Sequence, residues 1–373
     1  MALPQVKVAL VHDWLITWRG GEKVLLALAE MFPEADVFTL FHQKGAMPAQ
    51  LEARHITASF LDRLPKAHRY HRHFLPLMPF AVRALNLSGY DLVISSSHCV
   101  AKGVAIPAGA KHLSYVHAPL RYMWDRFDDY FGEGRSSAAV RASALALRPF
   151  LRAWDVSSAK GVDRFVANSH HVARQIAARY GRVASVVHPF VELERFTAQS
   201  LEGTGQGGYF LWVGALAPYK RLDVAIAAFE QLGLPLWVAG AGQDSERLAR
   251  ANANIKPLGL VPDEDLPALY RGARALIFPG EEDFGLVPVE CMASGRPVVA
   301  LGRGGAVETV TQDTGILFGE ATADSLVDAI GKFDAFERHF SPAKARAHAQ
   351  GFSKAAFITG IRREVDALLG ARA

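Results

Sequence analysis

Two glutamates eight residues apart mark the segment FPGEEDFGLVPVECMASGRPVVA, which covers residues 278–300. The segment predicts a strand that ends at Pro279-Gly280, a loop that carries Glu282, and a helix that starts near Leu286. The first N–H groups of a helix lack intrahelical acceptors and carry the positive end of its dipole, so they suit a phosphate. Glu282 and Glu290 therefore indicate a site for an anionic ligand at this helix start.

Glu290 lies among apolar neighbours, between Val289 and Cys291. A carboxylate needs a hydrogen-bond donor if it is buried in such a setting. Hydroxyl groups of a bound ribose or hexose are suitable donors, and the alternative is that Glu290 faces solvent. The position on the helix leaves both interpretations open.

Strands and helices alternate twice along the chain, which predicts two doubly wound α/β units that face each other across a cleft. We expect an N-terminal domain at 1–195, with a C-terminal helix at 355–373 that packs back on it, and a second domain at 196–354. The polar, glycine-rich stretch 198–208 is predicted as the linker or a loop beside it. Ligands of such pairs usually bind at the carboxyl ends of the strands.

His12 and Asp13 end the first predicted strand, where cleft residues gather. Contact with an acceptor or a base role is one interpretation of this pair, and loop bonding is the other. The two cysteines, Cys99 and Cys291, lie far apart in apolar stretches and are expected to be buried thiols, which fits a reducing compartment. Neither a secretory signal nor a membrane-spanning apolar run is predicted.

The positive charge is concentrated in the first part of the chain, because residues 1–165 carry a net charge of +6 and the remainder −2. Segment 54–85 is the densest part, with six Lys or Arg, four His and a single Asp among Phe, Leu and Met. This composition fits an anionic membrane surface, although a plain solvated surface is an alternative and nucleic acid is disfavoured.

The chain resembles the retaining glycosyltransferases of the GT-B fold, family 4. The Glu-x7-Glu spacing of Glu282 and Glu290, followed by SGRPVV, is similar to the signature of that family. The resemblance extends to WVGALAPYKRLDVAIAAF (212–229) in the donor domain, and to RGGEKVLLALA and YVHAPLRYMW in the N-terminal, acceptor-binding domain. It covers nearly the whole chain and is strongest at 209–320.

The resemblance implies a role for each matching residue. Glu282 would contact donor-sugar hydroxyls, Glu290 the nucleotide ribose, Lys220 the departing diphosphate, and His117 would lie near the reacting carbon. The other donor-binding residues implied are Gly20, Gly21, Gly214, Arg221, Gly240, Gly259, Leu260, Val261, Asp283, Phe284, Gly285, Leu286 and Val287.

One position departs from the pattern of the family. An arginine that binds diphosphate commonly follows the VG of the first donor-domain strand, and here that position is Ala215. Arg221, which follows Lys220 on a predicted helix, is the candidate that would replace the missing charge.

The implied activity is transfer of a hexose from a nucleotide sugar, GDP-mannose first, to a lipid-linked or saccharide acceptor in polysaccharide or O-antigen synthesis. The resemblance implies no cofactor and no catalytic metal. The alternatives are a UDP-sugar donor, a non-catalytic nucleotide-sugar-binding scaffold, and an epimerase of the same architecture. A cytoplasmic protein that is peripheral on the inner membrane face is expected, with no nucleic-acid partner.

Overall fold

The computed structural model of the chain describes residues 6–132, 136–197, 207–242 and 245–370. It contains two compact units: unit 1 is Met1–His188 with Phe357–Ala373, and unit 2 is Pro189–Ala356. The limit between the units follows His188, whereas the predicted limit follows residue 195. Most of the predicted linker, 198–206, lies outside the described residues. Among the helices of the described part, none combines the length and apolarity needed to span a bilayer.

Unit 1 is built on a parallel seven-stranded sheet with the order β3-β2-β1-β4-β5-β6-β7. Its strands are β1 (Val8–His12), β2 (Asp36–Thr39), β3 (Ile56–Ala58), β4 (Leu92–Ser97), β5 (Lys111–Val116), β6 (Arg164–Ala167) and β7 (Ala184–Val186). Strands β1 and β4 are buried at every position, as expected for strands covered on both faces.

The helices of unit 1 cover this sheet. They are α1 (Gly20–Met31), α2 (Ala49–Glu52), α3 (Ala67–Tyr70), α4 (Met78–Arg83), α5 (Phe127–Phe131), α6 (Ala138–Ser158) and α7 (His170–Tyr180), with 3-10 turns at Phe60–Arg63, His71–Phe74, Ala101–Gly103 and Ala159–Gly161. The sequence patterns do not predict β3 or α6.

Unit 2 contains a parallel six-stranded sheet with the order β10-β9-β8-β11-β12-β13. The strands are β8 (Phe210–Val213), β9 (Leu236–Ala239), β10 (Ile255–Gly259), β11 (Leu276–Phe278), β12 (Val298–Leu301) and β13 (Gly315–Phe318). The helices are α8 (Leu193–Thr197), α9 (Leu222–Leu232), α10 (Ser245–Ala249), α11 (Leu266–Gly272), α12 (Leu286–Ala293), α13 (Ala306–Thr309), α14 (Ala323–Gly331), α15 (Phe333–Glu337) and α16 (Pro342–Ala349), with 3-10 turns at Pro218–Lys220 and Gln350–Phe352.

The last helix, α17 (Lys354–Gly370), contributes the residues from Phe357 onward to unit 1. The Glu364 carboxylate accepts hydrogen bonds from Arg164 Nε at 2.6 Å and from Ser185 Oγ at 2.7 Å. The Phe357 ring packs edge-on against Tyr115, with the ring centroids 5.6 Å apart. The chain end is therefore fastened to β5, β6 and β7.

Strand β7 ends at Val186, although the largely apolar run ASVVHPFV continues to Val191. Pro189 has no N–H group to donate to a neighbouring strand. Beyond it, Val191 donates its N–H to the Phe352 carbonyl at 3.0 Å, inside unit 2. The chain thus leaves the first sheet earlier than the apolar run suggests.

Buried histidines give unit 1 a predictable pH dependence. His112 is fully buried, donates from Nδ1 to the Gly161 carbonyl at 3.0 Å, and has its pKa lowered to about 4 by burial. Near pH 6.5 and below, His112 binds a proton in the unfolded chain but not in the folded protein. The free energy of unfolding therefore decreases as the pH falls from about 6.5 to about 4.5. The slope is on the order of 1 kcal/mol per pH unit for each such histidine. Burial likewise lowers the pKa of His98, to about 3.

Urea unfolding between these pH values measures the slope. His112→Asn is expected to reduce the slope of the free energy of unfolding against pH by the contribution of about one proton. It removes one group that takes up a proton in this pH range only in the unfolded state. His55→Asn is the matched control, because the His55 side chain is 74% exposed. An unchanged slope in His112→Asn would contradict the prediction.

Candidate active site

The strand order of unit 2 creates a crevice at the carboxyl edge of its sheet. Strand β8 lies at the centre, with β9 on one side and β11 on the other. The connections that follow β8 and β11 therefore turn away in opposite directions, and ligands of open α/β sheets bind at such a point. Lys220 follows β8 and Glu282 follows β11, so the topology brings these two predicted site residues together.

Lys220 and Glu282 form a close ion pair. Lys220 Nζ donates to Glu282 Oε1 at 2.5 Å, and the side chains are only 12% and 19% exposed. Gly280 permits this approach, because a Cβ there would lie 2.6 Å from the Tyr219 carbonyl oxygen and 2.7 Å from the Lys220 Cα. The pair holds an ammonium and a carboxylate side by side at the crevice.

Arg221 does not lie on a helix beside Lys220, and that prediction is wrong. Lys220 ends a 3-10 turn, Arg221 takes a left-handed conformation with φ 51°, and α9 begins at Leu222. The Arg221 carbonyl accepts the Val224 N–H, so Arg221 caps the helix. Its guanidinium donates from Nε and Nη2 to Asp223 at 3.0 and 3.1 Å. The charge of Arg221 is therefore committed to a neighbouring carboxylate.

The helix start predicted near Leu286 is present, with Gly285 as its cap. Gly285 has φ 85°, a left-handed conformation that glycine adopts without strain. Phe284 points inward and is buried, while Leu286 and Val287 are half-buried. The first turn of α12 therefore begins next to the loop that carries Glu282 and Asp283.

A second glycine loop, at Gly304 and Gly305, packs against the Glu282 loop and is not among the predicted site residues. Gly305 donates its N–H to the Glu282 carbonyl at 2.8 Å. A Cβ at Gly304 would lie 2.3 Å from that same oxygen, and one at Gly305 would lie 2.3 Å from the Phe284 backbone. The glycine pair shortly after β12 was the available signal, because glycine lets two backbone segments approach closely.

Glu290 receives a hydrogen bond from inside the protein. The hydroxyl of Tyr270, on α11, donates to Glu290 Oε2 at 2.8 Å, and Tyr270 is fully buried. Burial and the adjacent Glu290 charge raise the pKa of Tyr270 well above its usual value. Glu290 is half-buried, so it neither faces solvent fully nor depends on a ligand for its donor. The ribose contact stays a prediction.

The predicted glycines of the nucleotide region lie together at the ends of β8, β9 and β10. Gly214 donates its N–H to Ala239 O at 3.0 Å, and Gly240 donates to Gly259 O at 2.7 Å. A Cβ at Gly240 would lie 1.8 Å from the Gly214 oxygen, so the ends of β8 and β9 lie too close together for a side chain at Gly240. Leu260 is 82% exposed and Val261 is half-buried.

In unit 1, the corresponding edge carries a chain of polar contacts that ends at His117. His117 follows β5, and its Nε2 lies 2.8 Å from Ser96 Oγ at the end of β4. Ser96 Oγ also lies 3.1 Å from His12 Nδ1, and His12 Nε2 lies 3.6 Å from Glu22 Oε1. Ser96 thus links the His117 ring to His12 of β1, and His12 lies next to Glu22 of α1. Ser96 and Glu22 were missed, although the polar run SSS that ends a buried strand was a usable signal.

Charge states in this cluster follow from burial. Burial lowers the pKa of His117 well below its usual value, so the ring is neutral near pH 7. Burial would raise the pKa of Glu22, but the nearby His12 and His98 rings outweigh it and leave that pKa below its usual value. The neutral His117 imidazole, held beside the Ser96 hydroxyl, can accept a hydrogen bond from a sugar hydroxyl or donate one to it. Such a group suits a positioning role.

Asp13 holds a loop. Its carboxylate accepts backbone N–H groups of four consecutive residues, 98–101, at 2.6–2.9 Å. It is fully buried, so the loop-bonding interpretation is the one that the structure supports. Gly20 and Gly21 begin α1, and a Cβ on Gly21 would meet His12 Cε1 and His117 Nε2 at 3.6 and 3.8 Å. These are ordinary contacts, so packing inside unit 1 does not require glycine at 21.

Both cysteines are free and buried. Within the described ranges, no cluster of three or more His, Cys, Asp or Glu side chains has the arrangement of a metal site. The Lys220–Glu282 pair and the half-buried Glu290 carboxylate offer groups that recognise an anion and hydroxyl groups.

Two family models match this chain in sequence. Residues 18–195 match the model described as Glycosyltransferase Family 4, and residues 207–333 match the model described as Glycosyl transferases group 1. The first model lies almost wholly in unit 1 and the second lies in unit 2.

Individual relatives and a solved structure agree with these models. The D-inositol 3-phosphate glycosyltransferase of Nocardia farcinica is 34% identical over 57% of this chain and 55% of its own length. The O-antigen chain mannosyltransferase C of Escherichia coli is 27% identical over 46% of this chain and 51% of its own length. The structure of Anabaena HepE in complex with UDP-glucose matches 97% of this chain and 100% of its own, with a TM-score of 0.68 and 17% identity. The chain thus spans about half the length of the curated relatives it matches.

The two parallel α/β sheets and the matching solved structures define the GT-B fold. The chain belongs to the group 1 glycosyltransferases that are built on this fold.

Proposed function

We propose that this protein transfers a hexose from a nucleotide diphosphate sugar to an acceptor hydroxyl, with retention of the anomeric configuration, as the retaining glycosyltransferases of family 4 do. The observation that carries the proposal is the ion pair between Lys220 Nζ and Glu282 Oε1, 2.5 Å apart at the crevice between β8 and β11. A cation for the departing diphosphate and a carboxylate for sugar hydroxyls are the two groups that this reaction needs there.

The remaining donor contacts follow from the positions of the neighbouring elements. The first turn of α12 supplies backbone N–H groups for phosphate, and Glu290, oriented by Tyr270, accepts from the ribose. The exposed end of β10, at Gly259 and Leu260, passes the base. The roles that the resemblance implies for His117 and Gly21, both in unit 1, stay predictions.

GDP-mannose is the donor we propose first, and the acceptor is a lipid-linked or oligosaccharide acceptor of polysaccharide or O-antigen synthesis at the inner membrane face. The O-antigen chain mannosyltransferase among the relatives supports this choice. A UDP-hexose is the second candidate, and the UDP-glucose complex of the HepE structure favours it. The same fold without turnover, a nucleotide-sugar-binding scaffold, is the remaining alternative and is motivated by Ala215.

A thermal-shift panel of GDP-mannose, UDP-glucose and ADP-glucose separates these candidates. A donor at 100 times its dissociation constant stabilises the protein by about 2.7 kcal/mol, so the true donor is expected to raise the melting temperature clearly above the other two. Slow donor hydrolysis with a retained anomer, followed by NMR and undiminished by a chelator, would then identify the transferase. Stabilisation without hydrolysis or transfer favours the scaffold, release of an epimerised free sugar favours an epimerase, and no response to any donor contradicts the proposal.

A further inference from the structure

The outer side of α6 is an exposed apolar surface. Of its 21 residues only Ala144, Leu151 and Asp155 are buried. From residue 138 to residue 154 the helix carries no acidic residue. We call the outer face of α6 the exposed set Ala142, Leu145, Ala146, Pro149, Phe150 and Ala153. An amphipathic helix normally turns such a face to the core, so this one has no covering partner among the described residues.

The C-terminal half of α6 is firmly anchored, which keeps this face outward. Lys102 Nζ donates to Asp155 Oδ1 at 2.7 Å and to Ser158 Oγ at 2.6 Å. A Cβ on Gly103 would lie 2.4 Å from the Trp154 ring, so the helix is packed tightly against the turn that follows β4. The orientation of the outer face is therefore set by buried contacts on the opposite side.

The outer face continues into the basic segment of unit 1. The Phe80 ring, on α4, stacks on Phe150 with centroids 6.4 Å apart, and the two residues are 59% and 47% exposed. The buried sides of both regions, including Leu75, Met78 and Leu151, belong to one core cluster. One rigid surface therefore carries both sets of exposed side chains.

The segment of this surface around α3 and α4 is almost entirely basic. Between residues 53 and 84 the only acid is Asp62, whose Oδ1 accepts from the His42 N–H at 2.9 Å and lies 2.8 Å from His68 Nε2. The exposed cations, which we call the cationic rim, are Arg63, Lys66, Arg69, Arg72 and Arg83.

We propose that the outer face of α6, together with Phe80, inserts into the headgroup region of an anionic lipid bilayer, with the cationic rim against the lipid phosphates. Apolar side chains beside exposed cations fit that boundary, because it offers hydrocarbon and negative charge at one depth. A second copy of the chain fits less well, since a two-fold contact through this surface brings two identical cationic rims together. This inference rests on the proposed function in one respect, because a lipid-linked acceptor lies in a bilayer. Binding of this surface to a bilayer needs no nucleotide sugar. A failure to bind vesicles would therefore not contradict the proposed sugar transfer.

Vesicle flotation of the full chain tests the proposal. The protein is expected to float with vesicles of phosphatidylcholine and phosphatidylglycerol and not with phosphatidylcholine alone. The variant Arg63→Ser/Lys66→Ser/Arg69→Ser should lose about fivefold in affinity for each cation removed. The matched control is Lys332→Ser/Arg338→Ser/Lys344→Ser, three exposed cations of unit 2, which should bind as the unaltered chain does.

The contribution of the apolar side chains of α6 is tested separately. Leu145→Ser/Phe150→Ser is expected to weaken binding about tenfold while the melting temperature is retained, since both residues are exposed. Val183→Ser, at a 91% exposed apolar position of unit 1, is the matched control. A fluorophore on Ala146→Cys, sensitive to polarity, should shift to the blue with the mixed vesicles, because Cys99 and Cys291 are buried and do not compete for the label.

Three results would overturn the proposal. The first is an absence of flotation with the mixed vesicles. The second is binding that depends on the cations but is unaffected by Leu145→Ser/Phe150→Ser, which would leave α6 out of the contact. The third is a concentration-dependent dimer in sedimentation velocity that the same double variant abolishes, which would assign the face to a second copy.

Discussion

Lys220→Ala is expected to lower the rate of sugar transfer by about two to three orders of magnitude, the cost of removing a group that stabilises charge developing in the transition state. Lys220 Nζ lies at the crevice between β8 and β11 and is held there by Glu282 Oε1 at 2.5 Å. Arg221 is paired with Asp223 and Ala215 carries no charge, so neither replaces the lost ammonium directly. Steady-state kinetics with the donor that stabilises the protein most would measure the loss.

Companion variants separate the two sides of the ion pair. Glu282→Gln should retain binding of the nucleoside diphosphate product, measured by calorimetry, while transfer falls, because the carboxylate is proposed to contact sugar and not phosphate. Lys220→Ala should weaken that binding as well. Lys344→Ala is the matched control, since Lys344 forms an exposed pair with Asp313 at 3.2 Å in the same unit. Equal activity of Lys220→Ala and Lys344→Ala would remove Lys220 from the proposed site.

Lys102→Ala is expected to lower the free energy of unfolding of unit 1 by about 3–5 kcal/mol, because it leaves a buried carboxylate without its cation. Lys102 is 2% exposed and Asp155 is fully buried. The other carboxylate oxygen of Asp155 accepts from Trp124 Nε1 at 2.7 Å and from the Tyr180 hydroxyl at 2.9 Å. Those two donors cannot neutralise the charge.

Urea unfolding followed by circular dichroism would measure this effect, with the change confined to the transition of unit 1 because two compact units need not unfold in one step. Lys111→Ala is the matched control, since Lys111 and Asp163 form a partly exposed pair at 4.0 Å whose loss should cost less than about 1 kcal/mol. Lys102→Met/Asp155→Asn should recover part of the loss, because the neutral amide still accepts from Trp124 and Tyr180. A Lys102→Ala variant as stable as Lys111→Ala would show that the pair adds nothing.

Local patterns predicted most of the regular elements. Strand β1 is a short, buried apolar run, and α7 has clear helical periodicity with Ser169 as its cap, so both were predicted within a residue or two. Helix α6 was missed although its apolar residues recur at helical spacing, because Pro149 lies in its interior and proline normally ends a helix. The three-residue strand β3 is too short to show alternation.

The candidate site was likewise predicted only in part from local sequence. The sequence alone placed Glu282, Glu290 and the start of α12 on one segment, because their relation depends on eight residues of local chain. Lys220, 62 residues before Glu282, became its partner only through the order of β8 and β11 in the sheet. Tyr270 reached Glu290 through the packing of α11 on α12, which no local pattern encodes.

The sequence by itself thus determined the alternation of strands and helices, the α/β class of both units and the types of residue at the strand ends, since periodicity and capping are local properties. The tertiary structure decided which of those residues meet. It paired Lys220 with Glu282, used Arg221 for Asp223, joined His117 to Ser96, and left the outer face of α6 exposed. These contacts join residues far apart in the chain, or depend on which side of an element is covered, and packing alone fixes both.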